Sequence, residues 1–456
     1  MEIPVRIGQR VTLLIHGITH DAEGVGRLQG FTVFVPEAIP GDEVEAEVIS
    51  VKKQYARALI YRILKESPDR VTPLCSHYHE CGGCQLMHAS YQAQLRYKRQ
   101  QVESALKRIG GLEGVVVHET LGMANSANYR NKAQFPVGMQ AGRIAAGCFK
   151  PRSHDIVDIA SCGIQHDANN RALVFAKELA QKYKISVYDE RLHEGLLRHI
   201  LVKHAFSTNE TMVVFVINGE SLPQGEKIAE ELMSRLTSVV SVQINTNKRP
   251  SNVILGPETK LIAGRDYIID ELDGLKFKIS ARSFYQVNPA QTKVLYGKAR
   301  EYAALTGRES VFDLYCGVGT IALFMAAHAK HVIGIEIVPE AIRDAEENAH
   351  LNRITNTEFI CGAAEDVVPR LIKQGQRPDV YIVDPPRTGC DEKLLATIAA
   401  NKPDRLVYVS CNPATLARDL KYLSERGFAV VEVQPVDMFP HTSHVECVVL
   451  MSRVKE

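Results

Sequence analysis

The sequence predicts an α/β protein built from three units. These are an OB-like β-barrel at residues 1–62, a mixed α/β centre with a metal site at residues 63–285, and a doubly wound, Rossmann-like domain at residues 286–456. Three observations predict it: short apolar runs bounded by glycine and proline at the amino end, a tight cysteine cluster after them, and a regular alternation of strands and helices to the carboxyl end. At 456 residues the chain is too long for a single hydrophobic core. No segment approaches the about eighteen unbroken apolar residues of a membrane span, and the amino terminus lacks the apolar core of a signal peptide. A cytoplasmic protein with no membrane partner is expected. Ten cysteines are too sparse for a disulfide scaffold, so in a reducing compartment they are expected to be metal ligands, catalytic groups or packing.

In the first unit, Val11 to Ile15, Phe31 to Val35, Glu43 to Val51 and Ala56 to Ile63 read as strands. Gly24-Val25-Gly26, Gln29-Gly30 and Pro40-Gly41-Asp42 read as turns. A small barrel of this kind often binds oligonucleotides. The net charge of +1 conceals an acidic start and a basic stretch: residues 52–152 hold sixteen Lys/Arg against six Asp/Glu. Such an excess attracts phosphates.

Cys75, Cys81 and Cys84 follow, with Gly82-Gly83 letting the backbone fold over the site. Cys162 is the leading fourth ligand and Cys148 the second choice; zinc and an iron–sulfur cluster both suit four thiolates, and His77 and His79 keep zinc open. From Tyr91 to Ile109 the pattern is helical and basic, and the segment near 91–118 can pack on the third unit. Beyond it, strands at His199 to Phe206, Met212 to Ile217 and Val239 to Ile244 alternate with helices at Ala172 to Tyr183 and Glu226 to Leu236.

In the third unit, Val311 to Tyr315 is a strand running into Cys316-Gly317-Val318-Gly319-Thr320 and an apolar helix. Glycines there let a ligand approach the backbone, and Glu336, at the end of the next strand, is placed to accept from ribose hydroxyls. Asp384-Pro385-Pro386-Arg387 forms a rigid turn after another strand, with Asp384 as an acceptor. The strand Arg405 to Val409 ends at Ser410-Cys411-Asn412-Pro413, with helical spacing resuming at Leu416. Cys411 therefore lies at the carboxyl edge of the sheet near a helix start, where thiolate is expected to be favoured over thiol. There is no phosphate-binding loop with Lys-Ser/Thr, which argues against a P-loop hydrolase.

The segments Ser283 to Asn288, Asp313 to Gly317, Asp384 to Arg387, Ser410 to Pro413 and His444-Val445-Glu446, in this order, resemble the RNA uracil-C5 methyltransferase family over essentially the whole chain. The barrel looks like that family's TRAM domain, and the cysteines resemble the 4Fe-4S site of members acting on 23S ribosomal RNA. The resemblance implies S-adenosylmethionine bound by Gln286, Tyr315, Glu336 and Asp384, with Cys411 as nucleophile and Glu446 as base. It also implies a 4Fe-4S cluster on Cys75, Cys81, Cys84 and Cys162, with a structural role, and no obligate protein partner.

The chemistry agrees. Uracil C5 is a poor nucleophile until a thiolate adds at C6, and a carboxylate must then remove the C5 proton. His441 and His444 stand nearby as possible assistants. A cytosine-C5 enzyme would be expected to carry a second cysteine directly after the proline pair, where this chain has Arg387. A transfer RNA substrate, or a non-catalytic role as an RNA-binding assembly factor, is also compatible with the sequence.

Overall fold

The computed structural model describes residues 3–454. Its first unit is a closed barrel of β1 (Arg10–Ile18), β2 (Gly24–Leu28), β3 (Phe31–Val35), β4 (Glu43–Val51) and β5 (Tyr55–Lys65), in the order β1-β2-β3-β5-β4. Strict alternation along β1 buries Val11, Leu13 and Ile15, as period-2 patterning requires. The stretch Gly24-Val25-Gly26, expected as a turn, is instead part of β2 and pairs with both neighbours. Gly24 can do this because a Cβ there would meet the Ala38 carbonyl at 2.6 Å. Buried Asp42 accepts from the Ile39 and Ser67 N–H groups and pairs with Arg70, tying the barrel to the segment that follows.

Next, α1 (Tyr91–Ala105) is capped by Ser90, whose hydroxyl accepts from the Ala93 N–H. The stretch Tyr91 to Ile109 is helical as expected, but its last turn, Leu106–Gly110, is a wide π turn, closed by Gly111 in the left-handed region. The wide turn lays Gly110 flush on the helix Pro413–Ser424, where a Cβ would stand 3.2 Å from the Ala417 carbonyl. Directly after it comes the short strand β6 (Val116–Val117).

The central sheet runs β13-β12-β11-β10-β7-β8-β9. Its strands are β7 (Lys132–Gln140), β8 (Arg143–Phe149), β9 (Ile156–Asp158), β10 (Leu197–His204), β11 (Thr211–Ile217), β12 (Val239–Thr246) and β13 (Glu258–Gly264). Helices α2 (Asp167–Lys182) and α3 (Gly225–Arg235) cover one face through Phe135, Leu173, Ile200 and Leu232. On the other face Leu201, Met212 and Val214 join the hairpin β14 (Tyr267–Leu272) and β15 (Leu275–Ser280) in a core shared with the third unit. Both faces of β10 and β11 are thus covered, which explains their unbroken apolar runs.

The third unit contains α4 (Pro289–Ala303), β16 (Ser310–Leu314), α5 (Thr320–Ala326), β17 (His331–Glu336), α6 (Pro339–Leu351), β18 (Thr357–Cys361) and α7 (Ala364–Lys373). It continues through β19 (Val380–Val383), α8 (Glu392–Asn401), β20 (Arg405–Ser410), α9 (Pro413–Ser424), β21 (Phe428–Val436) and β22 (Glu446–Arg453). Its sheet order is β18-β17-β16-β19-β20-β22-β21-β6, parallel as far as β20 and antiparallel at β22. Helix α9 begins at Pro413 rather than near Leu416, because Asn412 caps it by accepting from the Ala414 N–H and proline suits the first helical position. Among the described residues no helix is long and apolar enough to cross a membrane.

Candidate active site

Strands β17 and β19 flank β16, so the crevice where connections leave in opposite directions opens at the carboxyl ends of β16 and β19. After β16 the chain turns sharply: Tyr315, Gly317 and Gly319 have φ values of +66°, +54° and +79°. A bulky tyrosine in that region is strained and is held there by its surroundings. A Cβ on Gly319 would lie 3.0 Å from both Ala345 Cβ and the Phe359 ring, so the turn packs directly on α6 and β18. Glu336 closes the turn by accepting from the Gly317 N–H at 3.2 Å and the Val338 N–H at 2.9 Å.

Gln286 reaches the same crevice from the segment before α4. Its carbonyl accepts from Asn131 Nδ2 at 2.9 Å, and Asn288 then caps α4. Tyr296 lies between Gln286 and Asp384 and shares a hydrogen bond with Thr320 at 3.1 Å. Burial pushes the Asp384 carboxyl up to about 6. Beneath it, Asp313 is fully buried with both carboxylate oxygens unpartnered; burial and the facing Asp384 hold it well above the usual carboxylate range. The structure therefore brings Gln286 and Asp384 together beside Tyr296, and Asp384 and Glu336 together beside Asp313, at the carboxyl end of the sheet. Tyr315 follows β16 at the same end, while its ring faces Cys390 and Asp391.

Cys411 follows β20 directly. The β20–β22 ladder pairs Ser410 with Cys447, so one step further the register sets Cys411 opposite Glu446. The loop carrying Asp384 is strapped to this corner: Asn412 Nδ2 and Thr415 Oγ1 donate to the Arg387 carbonyl at 3.0 and 3.2 Å, and Arg418 donates to that of Thr388 at 2.9 Å. The expectation of a favoured thiolate is corrected. Burial, then Glu446 and Asp384, push the Cys411 thiol up to about 11, against the opposing pull of Arg387 and a backbone hydrogen bond. Burial, with two acidic side chains beside it, outweighs a helix terminus here. Glu446 is itself 5% exposed and held well above its ordinary range, first by burial and then by Asp384. His441 is packed against Gln94, which bonds both its backbone N–H and its ring, while His444 is exposed.

The loop leading to Glu446 is anchored from outside the third unit. Buried Lys98, on α1, pairs with buried Asp437 and donates to the Phe439 carbonyl at 3.0 Å; the Tyr91 hydroxyl donates to Asp437 at 2.8 Å. Sequence reasoning missed this pair, because both residues read as ordinary surface charges. It also missed Asp313 and Arg387 as parts of the electrostatics, although both lie inside the quoted motifs.

Cys75, Cys81, Cys84 and Cys162 line one cavity of about 240 Å³, and Cys148 lines it too. Both candidates for the fourth ligand are thus present. The glycine pair acts as expected: the Gly83 N–H donates to Cys81 Sγ at 3.3 Å, and a Cβ on Gly82 would meet the Phe149 carbonyl at 3.0 Å. Among the described residues no three His, Cys, Asp or Glu side chains converge closely enough to hold a single ion. His79 is turned away to Glu37.

Comparison with known proteins matches residues 90–454 to the tRNA (uracil-5-)-methyltransferase family and residues 4–60 to the TRAM domain. A Halalkalibacterium halodurans protein described as an uncharacterized RNA methyltransferase is 50% identical over 450 residues, covering 99% of this chain and 98% of that one. A Bacillus cereus protein of the same description is 49% identical over 456 residues, covering 100% and 99%. Among solved structures, the Pyrococcus abyssi tRNA (uracil-54, C5)-methyltransferase in complex with S-adenosyl-L-homocysteine has a TM-score of 0.77 and 31% identity, over 97% of this chain and 100% of that one. Fold and site together define an S-adenosylmethionine-dependent RNA methyltransferase. The chain belongs to the tRNA (uracil-5-)-methyltransferase family, with an amino-terminal TRAM barrel.

Proposed function

We propose that the protein methylates C5 of a specific uridine in 23S ribosomal RNA, in the cytoplasm, through a transient bond between Cys411 and C6. The observation that supports this most directly is the placement of Cys411 opposite Glu446 at the sheet's carboxyl edge. Addition of the Cys411 sulfur at C6 makes the ring an enolate, nucleophilic at C5. Gln286, Tyr315, Glu336 and Asp384 would hold S-adenosylmethionine, whose sulfonium would supply the methyl group: the bond from C5 to the methyl carbon forms as the sulfur–methyl bond breaks, and S-adenosylhomocysteine is the leaving group. Glu446 then removes the C5 proton, and the thiolate is expelled. Burial pushes the Cys411 thiol up to about 11 and holds the Glu446 carboxyl well above its ordinary range, so in the free protein the surroundings of both groups oppose the charged form that each step needs. Arg387 is the nearby cation that favours that form.

In this reading residues 1–62 and 63–285 present RNA to residues 286–456. The donor set of Cys75, Cys81, Cys84 and Cys162 fits a 4Fe-4S cluster that holds the central unit in shape. No electron is needed for methyl transfer to an enolate. A transfer RNA substrate is the second reading, favoured by the description of the Pyrococcus abyssi neighbour.

RNA carrying 5-fluorouridine, incubated with enzyme and methyl donor, is expected to become trapped on Cys411, because fluorine at C5 cannot leave as a proton does. Cys411→Ala should stay folded, bind the methyl donor and yield neither adduct nor product. Glu446→Gln should accumulate a methylated adduct on ordinary RNA. A Cys411→Ala enzyme that still methylates would overturn the nucleophile. Mapping 5-methyluridine in RNA from cells lacking the gene decides between ribosomal and transfer RNA.

A further inference from the structure

A cleft of about 1020 Å³ opens in the central unit between the β8–β9 turn, the loop around 187–193 and residues 250–252. Its floor includes Pro136 and His199, which lie directly opposite one another on β7 and β10. Alternation along β7 sets Pro136 on the same face as Lys132 and Gln134. Lys132 is where the sheet meets the candidate active site: the neighbouring Asn131 N–H donates to the Val287 carbonyl at 2.8 Å, and the Lys132 ammonium stands 5.9 Å from the Phe284 ring. At a rise of ~3.3 Å per residue, Pro136 lies about 13 Å along the strand from Lys132.

The walls join flat rings to cations. Phe149 and His154 stack with centroids 4.9 Å apart and planes 20° from parallel. The Arg198 guanidinium covers the Tyr188 ring at 4.4 Å and is fixed by donating to the Asn247 and Arg249 carbonyls. Lys150 and Arg191 are exposed at the rim. Of the three lining carboxylates, Glu190 is bonded to His154 at 2.6 Å and Asp189 accepts from the Arg191 and Leu192 N–H groups; Asp155 is the third. On the floor, His199 is only 8% exposed, and its Nδ1 has no hydrogen-bond partner. Burial keeps that imidazole neutral, so its ring offers one donor and one acceptor. Stacking surfaces, rim cations and an unused neutral polar edge are the recognition set for an unstacked nucleotide.

We infer that this cleft binds an unpaired nucleotide of the RNA strand whose uridine enters the active site, a few positions away, with its base extending the Phe149–His154 stack and its edge meeting His199. The inference rests on the RNA-methyltransferase reading and adds a second anchoring point for the substrate.

The test uses the full-length protein and a short oligouridylate substituted with photoreactive 4-thiouridine. Irradiation should link it to peptides containing Phe149, His154 or Tyr188 as well as to peptides near Phe284. Phe149→Ala should weaken binding of the oligouridylate about tenfold, the loss of one base stack. Lys150→Ala with Arg191→Ala, at two exposed positions that do not threaten the fold, should flatten the salt dependence of binding. Alkylation of Cys411 by iodoacetamide should be unchanged in all of these variants. Crosslinks in the cleft uphold the inference whichever RNA proves to be the methyl acceptor. Wild-type protein that methylates RNA yet gives no cleft crosslink, or a Phe149→Ala variant that binds within about twofold of wild type, overturns the inference and leaves the functional reading standing.

Discussion

At the scale of single residues, the site is governed by buried negative charge. At pH 8 Asp384 is ionised and Cys411 protonated, so the thiolate fraction answers to neighbouring charges. Asp384→Asn should speed alkylation of Cys411 at that pH and Arg387→Ala should slow it, each severalfold, since a shift of one pKa unit changes the thiolate fraction about tenfold. Mass-spectrometric rates would check both signs. Asp384 also predicts a pH-dependent stability. Its folded pKa, about 6, exceeds the ordinary 3.8, so the fold opposes its ionisation and stability is lost as pH rises from near 4 through 6. Asp384→Asn should therefore be more stable than wild type above pH 6, by about 1–3 kcal/mol in urea unfolding, while losing affinity for the methyl donor. The identities of Cys411, Glu446 and Asp384 were legible as motif residues. Their ionisation was not, because it depends on which side chains the sheet brings face to face. A helix start near Cys411 was visible in the sequence; the burial that overrules it, and the two acidic side chains beside it, come from segments elsewhere in the chain.

At the scale of elements, two joints hold the corner together. Asn412 caps α9 through its oxygen and ties the Asp384 loop through its nitrogen. Asn412→Ala should cost about 1–2 kcal/mol, whereas Asn412→Asp should keep the cap and lose only the tie. Thermal unfolding and the Cys411 alkylation rate, measured on both variants, separate the two functions. The second joint is Lys98 with Asp437. Lys98→Met should destabilise the protein by about 3–5 kcal/mol by leaving a buried carboxylate unpaired, and adding Asp437→Leu should recover part of the loss. The alternation of strands and helices in the third unit could be read from apolar periodicity alone. Strand β2 could not, since Gly-Val-Gly spells a turn until the close approach of Ala38 is known. The π turn at 106–110 was equally hidden, because it answers to the shape of α9 rather than to local propensity.

At the scale of the whole molecule, the basic excess of residues 52–152 is partly spent internally: Arg57 and Arg152 pair with Glu23, Arg70 with Asp42, Arg96 with Asp69 and Lys98 with Asp437. Net charge along the sequence therefore overstated the field available to RNA. If the cysteine cavity holds the proposed cluster, it is the other global device. Cys81→Ser should yield colourless, poorly folded protein without bound iron or acid-labile sulfide, whereas Cys148→Ser should keep its iron if Cys162 is the fourth ligand; iron analysis and circular dichroism would decide. The chain order of the sheet has a final implication. Strand β6, at residues 116–117, forms the outermost rung beside β21, yet leaves the ribosome some three hundred residues earlier. The nascent protein must keep that rung waiting until the rest of the ladder is translated. A fragment beginning at residue 286 would be born with a naked β21 margin, and self-association through that margin is the fate expected of it.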